Sequence, residues 1–391
     1  MKTSVVVVSY RPGDWLQPCL ESVREQADEV VLVDNGSEAF DATRLGEQAG
    51  ARVLRMPSNR GFAPAVNLGV GACTGDVVGL LNDDAIAGPD WLAMAVEPLQ
   101  DSSVAAVGPK IVLTTRYREV QYPDQEWYAP GDARPLGRQL RSVTVDGAEH
   151  LEAAIGPGLY RAEGDANSGR WRWTAGRPPW YVPLPDANPG AEILVNGEPA
   201  PPGRVVRLIN SAGGFLDDRG YGGDIGANTP DEGQFDRAAD RFALSGCALV
   251  TRRETWSDIG PFAGRYFAYY EDVDWCWRAQ LFGRRLVYDP AATVEHRRSA
   301  SSGGERQQWV RVMAERNRTL SMVRNGPRPL AAKALRDRVR NGPDGGVRAG
   351  IARLLPWALA TRAQMEMRWQ VAPGQVWTRW AGVDAAPPEH P

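Results

Sequence analysis

Short apolar runs recur through the amino-terminal part of the chain, each stopping abruptly at polar residues: Val5 to Val8, Val30 to Val33, Val53-Leu54 after Arg52, and Val77 to Leu81. Runs of this length bounded by turn residues predict buried strands. Between them the period changes. Leu16, Cys19, Leu20 and Val23 share one face of a helix expected from about Trp15 to Gln26, and a second helix is expected from about Pro64 to Cys73. Asp34-Asn35-Gly36-Ser37, which closes the second strand, combines turn chemistry with a helix-start signal. Strands alternating with helices predict a mainly parallel α/β sheet with right-handed crossovers, the nucleotide-binding type of layer.

The texture changes after Pro109. From about Thr115 to Arg241 the chain is rich in Gly, Pro, Asp and Trp, and short alternating pieces such as Trp171-Arg172-Trp173, Ile193-Leu194-Val195 and Val205 to Ile209 are separated by Asn196-Gly197 and Pro202-Gly203. That pattern predicts a β-rich insertion. Regularity returns at Arg241 to Val250, followed by a helix from near Glu271 to Phe282 ended by Gly283, a strand at Leu286-Val287-Tyr288 and a helix over about 306–323. The expected organisation is 1–114 and 241–325 as two halves of one domain, 115–240 as the insertion, and 326–391 as a basic amphipathic tail. In the tail Leu354, Leu355, Trp357 and Leu359 interleave with Arg348, Arg353 and Arg362, and Pro356 predicts an interruption. Two readings of this tail stay open: contact with an anionic membrane surface, or packing on the catalytic domain or a dimer partner.

Composition narrows the classes. A formal charge of −3 gives no overall pull toward nucleic acid or anionic lipid. Cys19, Cys73, Cys247 and Cys276 form no C-x-x-C pair, which argues against a zinc site or disulfide framework and for a reducing, cytoplasmic compartment. The opening residues read as a first core strand and not as a signal peptide, and no apolar stretch approaches the length of a membrane span.

The candidate chemistry lies in two acidic clusters. Asn82-Asp83-Asp84 ends the strand Val77 to Leu81, and Glu271-Asp272-Val273-Asp274-Trp275 opens a helix, with Glu295-His296 downstream. Carboxylates at the carboxyl edge of a parallel sheet stand where open α/β folds bind ligands, and suit a cation holding a diphosphate.

Taken in order, Val7-Val8-Ser9-Tyr10, Val33-Asp34-Asn35-Gly36-Ser37, Asn59-Arg60-Gly61-Phe62 with Asn67, Leu81-Asn82-Asp83-Asp84, Phe267 to Asp274, Val294-Glu295-His296 and Glu315-Arg316-Asn317 resemble a family 2 glycosyltransferase of the GT-A fold, in the bacterial rhamnosyl- and galactofuranosyltransferase-like branch. The resemblance covers roughly 1–110 and 240–325. It implies a GT-A nucleotide-binding sheet with helices on both faces. It also implies a donor site made by Ser9, Tyr10, Asp34, Asn35, Arg60, Asn67, Asn82 and Asp83, a Mn²⁺ or Mg²⁺ ion on Asp84 and His296, and Asp272 as general base. Glu271, Asp274 and Trp275 are then candidates for support of the base or for acceptor binding. Each position keeps an ordinary structural alternative: a turn-forming Asp34, acidic helix capping at Glu271 or Asp274, and core packing for Trp275 and Trp277. Asn82 stands where the strict Asp-x-Asp form has its first carboxylate, so the number of protein ligands stays open.

Processive members of the family carry a Gln-x-x-Arg-Trp element, whereas Arg306-Gln307-Gln308-Trp309 has a different order. The resemblance therefore implies a single, inverting transfer from a nucleotide-diphosphate sugar, with a thymidine-diphosphate rhamnose or a uridine-diphosphate sugar as the family-weighted donor. The acceptor would be a glycan or polyprenyl-linked glycolipid of cell-envelope assembly, met at the inner face of the membrane. An inactive sugar-binding scaffold and a nucleotidyltransferase on a similar sheet remain rivals.

Overall fold

The computed structural model describes residues 1–383 apart from 39–40, 124–125, 166–168, 176–177, 186–187, 298–303 and 342–344. The amino-terminal half is built from β1 (Thr3–Ser9), α1 (Leu16–Arg24), β2 (Glu29–Asp34), α2 (Asp41–Gln48), β3 (Arg52–Arg55), α3 (Phe62–Ala72), β4 (Val77–Asn82), β5 (Ala85–Ala87), α4 (Trp91–Val96) and β6 (Val104–Val120). β1 pairs in parallel with β2 on one side and β4 on the other, and β3 extends the sheet beyond β2. The order β3-β2-β1-β4 makes the carboxyl ends of β1 and β4 a topological switch point, where such sheets open a ligand crevice.

Continuous apolar strands follow from burial on both faces. Val5 and Val7 pack with Leu16, Leu20 and Trp91 on one side of the sheet; Val6 and Val8 pack with Val66, Val70 and Trp275 on the other. The sheet is less parallel than the alternation of strands and helices predicts. The strand Ala248–Arg252 runs antiparallel between β4 and β6 and brings the second half of the chain into the middle of the first.

β6 has 17 residues and crosses the expected boundary at 114/115 without a break. Its first part pairs with the long strand Arg285–His296, and its second with the insertion strands Trp180–Leu184 and Val205–Ser211. Beyond that junction the insertion has a small core of its own around Val120, Leu140, Val143, Trp180, Val182, Ile193 and Val195.

The carboxy-terminal helices are α5 (Arg253–Ile259), α6 (Glu271–Leu281), α7 (Gly304–Asn325), α8 (Arg328–Asn341), α9 (Gly345–Glu366) and α10 (Pro373–Trp380). The interruption expected at Pro356 does not occur, because α9 runs straight through it. An interior proline costs about 3 kcal/mol, and packing on both sides of it offsets that cost. Val347, Ile351, Leu354 and Ala358 are buried, and Leu354 and Ala358 join Tyr266, Leu320 and Val323 in one cluster. Arg362 then donates to the carbonyls of Val323 and Gly326 near the end of α7. The apolar face of the tail is thus largely occupied by the protein itself, and no helix among the described residues is long and apolar enough to cross a membrane.

Candidate active site

At the switch point Ser9 Oγ, at the end of β1, donates to Asp83 Oδ2 at 2.6 Å, just beyond the end of β4. Burial pushes the Asp83 carboxyl up to about 6, with the charge of Asp84 adding to it and the Ser9 hydrogen bond opposing it. Asn82 Oδ1 is buried without a hydrogen-bond partner among the described residues, an acceptor available to a ligand. Tyr10 and Arg60 are exposed beside this crevice, and Asn35 holds the Arg60 loop by accepting from the Arg60 amide at 3.0 Å and donating to the Gly61 carbonyl at 3.2 Å.

Asp84 and His296 meet because of register. β5 pairs antiparallel with the end of the Arg285–His296 strand, setting His296 opposite Ala85, the neighbour of Asp84. His296 Nε2 lies 3.0 Å from Asp84 Oδ1, while its Nδ1 lies 2.5 Å from Asn210 Oδ1 on the insertion strand. Burial opposes a charge on His296, but Cys247 and the Asp84 carboxylate outweigh it and lift the imidazolium to about 10. An octahedral ion with bonds of about 2.1 Å sets neighbouring ligand atoms about 3 Å apart, so the observed Asp84–His296 separation fits one edge of such a shell. No group of three or more acidic, His or Cys side chains converges on a common point among the described residues. A cation here would therefore take two protein ligands and fill its shell from a diphosphate and water, the usual arrangement for Mg²⁺ with nucleotides.

The second acidic cluster is brought to the first by one turn. The Gly246 amide donates to Asp272 Oδ2 at 2.8 Å, and the next residue, Cys247, accepts from the Asn82 amide at 2.8 Å. Asp272 Oδ1 also accepts from the Val273 amide at 2.7 Å, and burial raises its pKa despite these bonds. The loop that presents Asp272 is strained: Phe267, Tyr269 and Tyr270 all have positive φ, at 71°, 70° and 69°. Asn317 on α7 offsets that strain by pointing Nδ2 at the carbonyls of Tyr266, Ala268 and Tyr269, and Arg316 donates to the Tyr266 carbonyl. Arg316 and Asn317 thus brace the loop that leads to Asp272, while Glu315 accepts from Tyr221 Oη and pairs with Arg338.

Residues 4–150 match the model of glycosyl transferase family 2. That segment is a family 2 glycosyltransferase domain. An N-acetylglucosaminyl-diphospho-decaprenol L-rhamnosyltransferase of Mycobacterium tuberculosis (strain ATCC 25618 / H37Rv) is 27% identical over 315 residues, covering 76% of this chain and 77% of that protein. A glucosyl-dolichyl phosphate glucuronosyltransferase of Haloferax volcanii is 28% identical over 181 residues, 44% of this chain and 58% of that protein. The crystal structure of GalNAc-T7 with UDP, GalNAc and Mn²⁺ superposes with a TM-score of 0.51 at 14% identity, covering 95% of this chain and 58% of that one, which identifies the fold as GT-A.

Several residues expected at the site lie elsewhere or are already engaged. Asp34 is 0% exposed and accepts from the Ser37 amide, Thr43 Oγ1 and Arg55 Nη1, so it is the turn-forming aspartate and does not face the crevice. Arg55, which no sequence pattern singled out, is the partly exposed member of that pair. Asn67 is spent on the chain itself, donating to the Phe262 carbonyl and accepting from the Phe262 amide, both at 2.9 Å. Trp275 is fully buried and stacked on Trp256, and Trp277 is buried too, so neither offers a ring to a sugar. Exposed aromatics do flank the Asp272 loop: Tyr269 and Trp309, at 38% and 41% exposure, meet edge to face at 6.1 Å.

Asp274 is a core residue. It is 0% exposed, bonds to Arg278 Nε at 3.0 Å and Asn325 Nδ2 at 2.9 Å, and has Arg324 Nη1 at 2.6 Å. Replacing it by Ala leaves two buried guanidinium groups without their counter-charge. Asp274→Ala is expected to lose about 3–5 kcal/mol in urea unfolding, and a loss below about 1 kcal/mol would show that the arginines find other partners.

Glu271 is also buried, and Oε2 has no hydrogen-bond partner among the described residues. Burial, followed by the charge of Asp272, holds its pKa well above the ordinary glutamate value. A carboxyl with a raised folded pKa stabilises fully below its unfolded pKa and progressively less as pH rises toward the folded value. Glu271→Gln removes that dependence. Its stability relative to the parent chain is therefore expected to increase with pH above about 4.5, by about 1.4 kcal/mol per pH unit. Unfolding curves at pH 5, 6 and 7 check this, and parallel behaviour of the two proteins would mean that Glu271 ionises as freely in the folded state as in the unfolded one.

Proposed function

We propose that the protein moves one sugar, with inversion, from a nucleotide-diphosphate sugar to an acceptor hydroxyl, and that it needs a divalent cation to do so. The observation that carries this reading is the Gly246–Cys247 turn, which bonds to Asp272 with one residue and to Asn82 with the next, so that base and diphosphate site share a single rigid element. Asp84 and His296 would hold the cation. A bound Mn²⁺ or Mg²⁺ supplies countercharge to the diphosphate as it departs. Asn82 Oδ1 and the exposed Tyr10 and Arg60 face the donor, and Asp272 takes the proton of the acceptor hydroxyl as that oxygen attacks the anomeric carbon. Glu271 is buried with its pKa raised by that burial, and a single base at Asp272 suits one direct displacement and therefore inversion. Tyr269 and Trp309 offer ring faces for an acceptor sugar.

Two of the relatives are named for polyprenyl-linked substrates, a decaprenol diphosphate in one and a dolichyl phosphate in the other. A polyprenyl-linked glycan is accordingly the proposed acceptor, reached at the cytoplasmic face of the membrane. The donor can be found without the acceptor. A ligand that binds the folded chain alone raises the melting temperature by mass action. Screening uridine-, thymidine- and guanosine-diphosphate sugars with Mn²⁺ is expected to single out one donor class. No shift with any of them would favour a protein that has lost donor binding.

A further inference from the structure

We infer that Asn210, contributed by the insertion, is a positioning residue for the cation site, acting through His296. This rests on the reading that Asp84 and His296 hold a divalent cation. Asn210 lies on the strand Val205–Ser211, which pairs antiparallel with β6. Where β6 takes one step, from Val112 to Ile111, the insertion strand takes two, from Ile209 to Ser211, so Asn210 is the extra residue of a bulge. Bulges re-aim side chains and are common beside active sites. On the neighbouring strand His296 stands level with Leu113 of β6, and its Nδ1 comes to 2.5 Å from Asn210 Oδ1. A second bond from the same insertion strand grips the adjacent residue, Arg207 Nη1 meeting Glu295 Oε1 at 3.1 Å.

The chemistry follows from what an amide oxygen can do. It only accepts, so a hydrogen bond to it places a proton on Nδ1 of His296. Nε2, 3.0 Å from Asp84 Oδ1, is then the nitrogen whose lone pair is free for a metal once the ring is singly protonated. Metal-ligating histidines depend on such a partner for tautomer, ring orientation and basicity, and losing it typically costs about 10–100-fold in metal affinity. The strand Val205–Ser211, which lies outside the residues 4–150 that match the family model, would thereby complete a site whose ligands are Asp84 and His296.

The test is Mn²⁺ binding by the full chain, followed through the electron paramagnetic resonance signal of free Mn²⁺, with UDP, TDP and GDP supplied in turn. Asn210→Leu, which keeps the volume and deletes the acceptor, is expected to weaken Mn²⁺ binding about 10–100-fold, with Asn210→Ala doing the same should the leucine variant not fold. Asn210→Asp, which keeps an acceptor at that place, is expected to bind within a few-fold of the parent chain. Asp84→Ala serves as the reference for the site itself. If Asp84→Ala loses Mn²⁺ while Asn210→Leu and Asn210→Ala bind as the parent does, the role of Asn210 is overturned and the cation site stands. If Asp84→Ala binds Mn²⁺ as tightly as the parent, or the parent does not bind it with any of the three nucleotides, the cation site falls and the inference with it.

Discussion

Asp272→Asn is expected to reduce turnover by about a hundred- to ten-thousand-fold, the usual worth of general-base assistance, while donor binding measured by thermal shift stays near that of the parent chain. The substitution keeps the size of the side chain and one oxygen for the Gly246 or Val273 amide, so the strained 267–270 loop, pinned by Asn317, retains its course. What it removes is the capacity to accept a proton. Burial holds the Asp272 carboxyl above the ordinary aspartate range, and a base works only when ionised. Turnover of the parent enzyme should therefore fall as pH drops through that raised value, and the fall should set in at a higher pH than a solvent-exposed aspartate would give. Glu271→Gln should leave most of the rate, since that side chain is buried and burial raises its pKa. A rate within a few-fold of the parent for Asp272→Asn would move the base elsewhere.

The second large effect is expected at Asp84. Asp84→Ala should abolish turnover at ordinary Mn²⁺ or Mg²⁺ concentrations and leave the melting temperature within a few degrees of the parent, because the carboxylate stands on a turn at the end of β4 and is partly exposed. A chelator should do the same reversibly, with activity restored by adding the ion back. Full turnover in excess chelator would leave side chains such as Arg60 to supply the countercharge.

The strands β1, β2 and β4 and the helices α1 and α3 were legible because these strands are largely buried and the helices bury one face, so burial wrote itself into the spacing of Val5 to Val8, Leu16, Cys19, Leu20 and Val23. Ala248–Arg252 was visible as a strand, but its direction was not, since an apolar run carries no sign of which neighbours it will pair with. Pro356 misled for a related reason: propensity spoke for a break, and tertiary packing of Leu354 and Ala358 overrode it. Among the candidate site residues, Asp83, Asp84, Asp272 and His296 could be picked out by residue type at strand and helix ends. Asp34, Asn67, Asp274 and Trp275 sit in the same kinds of places and turn inward, a distinction made only by partners distant in sequence such as Arg55, Phe262, Arg324 and Trp256. Asn210 had no pattern at all, because a bulge interrupts the alternation by which strand faces are read.

The most direct measurement is phosphorus nuclear magnetic resonance of a nucleotide-sugar donor incubated with the enzyme, Mg²⁺ and a polyprenyl-diphosphate-linked glycan, with the anomeric proton of the product recorded alongside. Release of the nucleoside diphosphate is expected in step with addition of a single sugar of inverted anomeric configuration, abolished in Asp84→Ala and slowed at least about a hundred-fold in Asp272→Asn. Release of a nucleoside monophosphate with a sugar phosphate, or retention of the anomeric configuration, would contradict that expectation.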